Sequence, residues 1–151
     1  MGVTEINQYL QNRYPFLFID RVTEVKPGQY VKGYKCFSNN ESYFQGHFVN
    51  NPNVPGAIQL EIMLEFFCLT FLTIPEYKGA ETADLAIDAL LFKKKLVPGD
   101  RLDVVAELNS FKRGIAKGRV VGFSDNKVVC SCNPTVCIPK ILENITPKRN
   151  N

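Results

Sequence analysis

Residues 57–74 read AIQLEIMLEFFCLTFLTI, eighteen residues without Gly or Pro, preceded by Pro55-Gly56 and closed by Pro75. Proline presets the backbone for a first helical turn but lacks the N–H that a helix interior needs. The stretch therefore predicts one long helix over Ala57–Ile74. Its apolar residues (Ile58, Leu60, Ile62, Met63, Leu64, Phe66, Phe67, Leu69, Phe71 and Leu72) run nearly all the way round. A helix with no polar face has to be surrounded by other structure. Glu61 and Glu65 are its only charges.

The sequence on either side supplies what would surround it. Upstream, Thr4 with Asn7 suggests a short, weakly capped helix. Phe16–Val25 and Tyr30–Phe37 read as two strands joined at Pro27-Gly28. Asn50-Asn51-Pro52-Asn53-Val54-Pro55-Gly56 is dense in turn formers and reads as loop. Downstream, Leu85–Lys94, a strand through Leu102, Val104, Ala106 and Leu108, Ile115–Phe123 and Val128–Ile138 alternate with period two. The tail from Asn144 to Asn151 is polar and reads as frayed. One antiparallel sheet wrapped around one long buried central helix satisfies both partners, an α+β architecture. Without linkers or repeats, residues 1–151 form one expected domain.

Composition narrows the function. Hydrophobic residues make up 45% and charged residues 22%, which are globular values. No uncharged run is long enough to suggest a membrane span, and Met1–Leu10 lacks the basic cluster of a secretory signal. The cytoplasm is the expected compartment. A net charge of +3 is too small to argue for nucleic acid. Cys36, Cys68, Cys130, Cys132 and Cys137 form no C-x-x-C pair and read as buried free thiols in strands. No metal site is expected from them.

His47, the sole histidine, stands in Gly46-His47-Phe48 at the edge of the turn-rich loop. Such a residue can be a half-buried structural histidine. An imidazole is also the natural general base near neutral pH. A carboxyl inside an apolar helix costs several kcal/mol to keep ionised and unpaired. Glu61 therefore reads as an acid held neutral and able to donate a proton, unless the helix has a wet edge. Glu65, one turn on, is either a second member of that site or a rim residue. Pro55-Gly56 opens the helix, and the first N–H groups there can polarise a carbonyl. Lys93-Lys94-Lys95 is either a solvated basic edge or a landing site for an acidic partner, with Lys112 and Arg113 as helpers.

With these residues in place the sequence resembles the FabZ-type (3R)-3-hydroxyacyl-acyl-carrier-protein dehydratases. The resemblance runs from Arg13 to Ile138. It rests on Arg13-Tyr14-Pro15-Phe16-Leu17, Asp20-Arg21-Val22, and Gly46-His47-Phe48 with Pro52 and Val54-Pro55-Gly56. Glu61 fourteen residues after His47, then Phe92-Lys93-Lys94, Val97-Pro98-Gly99-Asp100 and Arg113-Gly114, complete it. The resemblance implies a hot-dog fold that dimerises, with His47 of one chain facing Glu61 of the other; it leaves open whether dimers stack further into a trimer of dimers, a hexamer. It implies a lyase that forms a trans-2-enoyl thioester. His47 would act at C2 and Glu61 at the C3 hydroxyl. Gly56, Pro55, Phe48, Glu65 and Tyr14 would stand along the substrate, and no cofactor is implied. Lys93, Lys94, Lys95 and Arg113 would meet the acyl carrier protein. The family usually has Pro where this chain has Val49, Gln where it has Glu65, and His where it has Asn12. Two other readings share the fold: an acyl thioesterase, and a non-catalytic acyl-binding subunit of a hetero-oligomeric dehydratase.

Overall fold

The computed structural model describes residues 1–145. Helix α1 (Val3–Ile6) precedes a hairpin of β1 (Arg21–Lys26) and β2 (Tyr30–Cys36). A 3-10 turn, Ser42–Gln45, leads into the turn-rich loop and then α2 (Gly56–Leu72). After a second 3-10 turn, Pro75–Tyr77, come β3 (Ala83–Phe92), β4 (Arg101–Lys112), β5 (Ile115–Ser124), β6 (Lys127–Cys137) and α3 (Pro139–Ile145). The six strands form one antiparallel sheet in the order β1-β2-β4-β5-β6-β3.

Helix α2 lies against β2, β4, β5 and β6. Ile62, Met63, Phe66, Phe67, Leu69 and Phe71 are wholly buried, each worth roughly 1.5–3 kcal/mol on the scale of apolar transfer. Two glycines set how close helix and sheet come. A Cβ at Gly33 would stand 2.6 Å from the Phe66 ring, and one at Gly118 would stand 2.5 Å from the Phe67 ring. Only a residue without a side chain fits beneath either ring.

The sequence reading needs correction at the margins. The first strand begins at Arg21, not Phe16, because Phe18 and Ile19 give their N–H groups to the Glu65 carboxylate instead of a sheet ladder. Helix α1 is capped at Gly2, whose N–H donates to Glu5 at 3.1 Å, rather than through Thr4 and Asn7. Strand β3 does not alternate. It is an edge strand, exposed along most of its length, bulged between Asp88 and Leu91, with Ala89 at φ 50°. Asn144 and Ile145 belong to α3, which the frayed-tail expectation missed, while residues 146–151 lie outside the described residues. Among the cysteines, Cys68 is helical and Cys36 exposed; the other three are buried in β6, and all five are free. Among the described residues no helix is long and apolar enough to cross a membrane.

Candidate active site

The two carboxyls of α2 differ in environment. Glu61 is half-buried, and Asn12 Nδ2 donates to its Oε1 at 3.3 Å. Burial raises its pKa above the ordinary value, the nearby Asp84 charge adds to that, and the Asn12 bond opposes it. Glu65 is buried, only 2% exposed. The Phe18 N–H donates to both of its oxygens, at 3.0 and 3.3 Å, and the Ile19 N–H donates to Oε2 at 3.3 Å. Burial pushes the Glu65 pKa up to about 8. The Phe18 bond pulls against it, the Glu61 charge reinforces it, and the Ile19 bond and Lys35 charge oppose it more weakly. The deeper carboxyl is thus Glu65 rather than Glu61, and Glu65 is not a rim residue. The helix is covered on every side from Ile62 onward, whereas Gly56–Glu61 is only partly covered.

Both glutamates line a cavity of about 120 Å³ together with Asn12, Cys68, Thr82 and Asp84. None of these four stood out in the sequence as a site residue. They come from an N-terminal loop, α2 and the start of β3, and no local periodicity links them. Asn12 was visible only as a departure from the family pattern.

His47 follows the Ser42–Gln45 turn, stacked on Phe48 with ring centroids 4.2 Å apart. Its Nδ1 lies 3.0 Å from the Asn53 carbonyl oxygen. A carbonyl only accepts, so Nδ1 carries a hydrogen, and in the neutral ring Nε2 is the nitrogen with the lone pair. The Asn53 N–H in turn donates to the His47 carbonyl at 2.8 Å, so the loop fixes the ring from both sides. Tyr14, Phe48 and Val49 stand on the surface, at 94%, 55% and 81% exposure.

At the start of α2, Ile58 and Gln59 give their N–H groups to the Pro55 carbonyl, which leaves the N–H groups of Gly56 and Ala57 as the free donors of the first turn. Gly56 itself lines a cleft of about 360 Å³ with Asn53, Gln59, Phe92 and Lys93–Lys95. A Cβ at Gly56 would press on the Phe92 ring at 3.1 Å. The lysine run therefore flanks the positive end of the helix, and Lys95 bonds Asn51. Arg113 does not join it. It sits in the β4–β5 turn, level with Ala83 through Cys137 and Ile115, whereas Lys93 follows Phe92 at the far end of β3. Ten residues of strand, about 30 Å, separate them.

Within one chain, then, the structure brings Glu61 to Glu65, and Gly56 to the lysines. His47 lines neither cavity. Chemically, one cavity offers a proton donor and the loop offers a base. Among the described residues, no group of three His, Cys, Asp or Glu side chains could hold a metal ion.

The family model for a FabA-like domain matches residues 10–133. The chain is 40% identical over 132 residues to the 3-hydroxyacyl-acyl-carrier-protein dehydratase FabZ of Clostridium botulinum (strain Eklund 17B / Type B), covering 86% of this chain and 93% of that protein. It is 41% identical over 128 residues to FabZ of Caldicellulosiruptor saccharolyticus, covering 85% and 91%. Among solved structures, the dehydratase heterocomplex ApeI:P from Xenorhabdus doucetiae superposes with a TM-score of 0.77 at 13% identity, over 94% of this chain and 97% of that one. A hypothetical thioesterase with coenzyme A from Streptococcus pneumoniae TIGR4 gives 0.57 at 14% identity, over 78% and 84%. At those identities the structural likeness speaks for the hot-dog fold alone.

Proposed function

The chain belongs to the FabA-like family, with FabZ dehydratases among its relatives, and from that membership we propose that it dehydrates (3R)-3-hydroxyacyl-acyl-carrier-protein to the trans-2-enoyl thioester in fatty acid or specialised lipid synthesis. The observation that carries this is a complementary pair of groups, a ring nitrogen placed to accept a proton and a carboxyl placed to give one. His47 has Nε2 free as a base, and burial favours the protonated form of Glu61. Nε2 takes a proton from C2, the electrons form the C2–C3 double bond, and the C3–O bond breaks. Glu61 gives its proton to the departing hydroxyl, which leaves as water. The N–H groups of Gly56 and Ala57 polarise the thioester carbonyl, which acidifies the C2 proton.

We take residues 1–151 as one domain and the active unit as at least a homodimer, with dimers able to stack into a hexamer. Two features support it: His47 lines neither cavity of its own chain, and edge strand β3 leaves Leu85, Leu91 and Phe92 exposed. His47 of one subunit then faces Glu61 of the other. Tyr14, Phe48 and Pro55 lie along the acyl thioester. Lys93, Lys94 and Lys95 attract the acidic carrier protein to the cleft at the helix start. Five free thiols fit a cytoplasmic setting. The test is to follow enoyl absorbance with a 3-hydroxyacyl carrier-protein substrate. Wild type no faster than His47→Ala sinks the proposal, and release of free thiol from acyl substrates lacking a 3-hydroxyl turns it toward a thioesterase.

A further inference from the structure

A sealed carboxyl beside a working acid needs a reason. Glu61 and Glu65 are one helical turn apart on the same face, with Cβ atoms about 6 Å apart. They share the 120 Å³ cavity. We propose that Glu65 is a proton store for Glu61, holding a proton behind the acid and returning it after each dehydration. The inference rests on the assignment of Glu61 as the acid. Glu65 itself touches no substrate and acts through Glu61, which makes it a positioning residue.

The geometry limits where a Glu65 proton can point. The backbone partners of its oxygens, Phe18 and Ile19, are N–H donors and cannot accept it. Side-chain acceptors line the cavity beside it: the Glu61 and Asp84 carboxyls, the Thr82 hydroxyl and the Asn12 amide oxygen. The titratable groups facing Glu65 are Glu61 and Cys68 from α2, Asp84 from β3 and Lys35 from β2. Burial holds the Cys68 thiol at about 12, so it stays neutral. Lys35, the cation of the set, is engaged elsewhere, with Nζ 2.8 Å from Glu41 and 3.5 Å from Asp20. An ionised Glu65 would therefore face other carboxyls with little compensation, and it keeps a proton up to about pH 8.

The proton balance closes over one turnover. Glu61 gives its proton to the leaving hydroxyl and becomes a carboxylate. The two carboxyls then share the remaining proton, which rests mostly on Glu65 and reaches Glu61 directly or through water in a cavity large enough for a few molecules at about 30 Å³ each. Solvent restores the second proton through that cavity, while the proton taken from C2 leaves His47 for solvent.

Glu65→Gln separates this role from mere fastening of the Phe18–Ile19 segment. The amide oxygen still accepts those N–H groups, but the side chain can store no proton. The expected result is an unchanged KM and a kcat–pH profile whose alkaline limb moves down by about one unit or more. At pH 8 that is roughly tenfold slower turnover. An unmoved limb overturns the proposal. Should the variant fold poorly, wild-type protein labelled with carbon-13 at its glutamate carboxyls is titrated by NMR, with Glu61→Gln for assignment. Two interacting titrations support the store; a single Glu65 step in the ordinary carboxylate range overturns it. Turnover with an unmoved limb overturns the store alone. Coupled titrations without any turnover overturn the dehydratase reading, and the store's part in catalysis with it.

Discussion

The first six residues of α2 and the eleven that follow each carry one glutamate on the same unbroken helix but have very different surroundings. From Ile62 to Leu72 every residue is buried. From Gly56 to Glu61 only Gln59 is. One half of the helix holds the sheet together, while the other leaves backbone N–H groups and one carboxyl within reach of a ligand. Glu61 and Glu65 fall on either side of the boundary, so one turn of helix separates a half-buried carboxyl from a buried one. The lesson is that exposure, more than residue type, assigns the chemistry here.

The sharpest way to separate the halves is to remove function without touching packing. His47→Ala should lower kcat/KM by about 10²–10⁴-fold, the usual contribution of a general base, with an unchanged midpoint of thermal unfolding. The converse comes from the sealed half. Phe67→Ala should cost about 3–5 kcal/mol of stability in urea titration, because the ring is wholly buried over Gly118. A loss under 1 kcal/mol would mean that the helix is far less confined than its burial indicates.

Glu65 predicts a pH dependence. Its carboxyl has an ordinary value of 4.5 and is pushed up to about 8 in the folded protein. The folded state binds the extra proton between those values. Its stabilisation is therefore full below 4.5, is lost as pH rises toward 8, and is gone above it. Wild-type stability should fall across that window by up to about 1.4 kcal/mol per pH unit, and Glu65→Gln should flatten the slope. The smallest effect belongs to the open end. Lys94→Glu should raise KM for a carrier-protein substrate several-fold and weaken its salt dependence. A variant with an unaltered salt profile would remove the lysines from the docking surface.

The helix, the hairpin and the later strands were legible because each is a local pattern: a run without breakers, a turn dipeptide, an alternation. The Phe16–Ile19 segment was misread because its composition favours a strand while its N–H groups are taken by a carboxyl 46 residues or more away. Strand β3 was misread because α2 packs on β2, β4, β5 and β6 and leaves it uncovered, so neither of its faces is buried. In the site, His47, Glu61 and Gly56 announce themselves by residue type against their surroundings. Asn12, Thr82 and Asp84 do not, since ordinary polar residues acquire meaning only when folding collects them at one cavity. Arg113 was grouped with Lys93–Lys95 on charge alone, and the sheet register separates them.

Gly33 and Gly118 carry no chemistry, yet they act on it at a distance. Each is a notch that lets an aromatic ring of α2 settle onto the sheet, so together they set the depth at which the helix rides. A methyl group in either notch would press on the ring and, closer still, on the Arg21 or Glu107 carbonyl of the neighbouring strand, so sheet and helix would both shift and carry the two carboxyls with them. The alignment of the acid is in this sense machined into the opposite wall of the protein. A survey of activity-impairing substitutions should find these two glycines alongside the residues of the cavity itself.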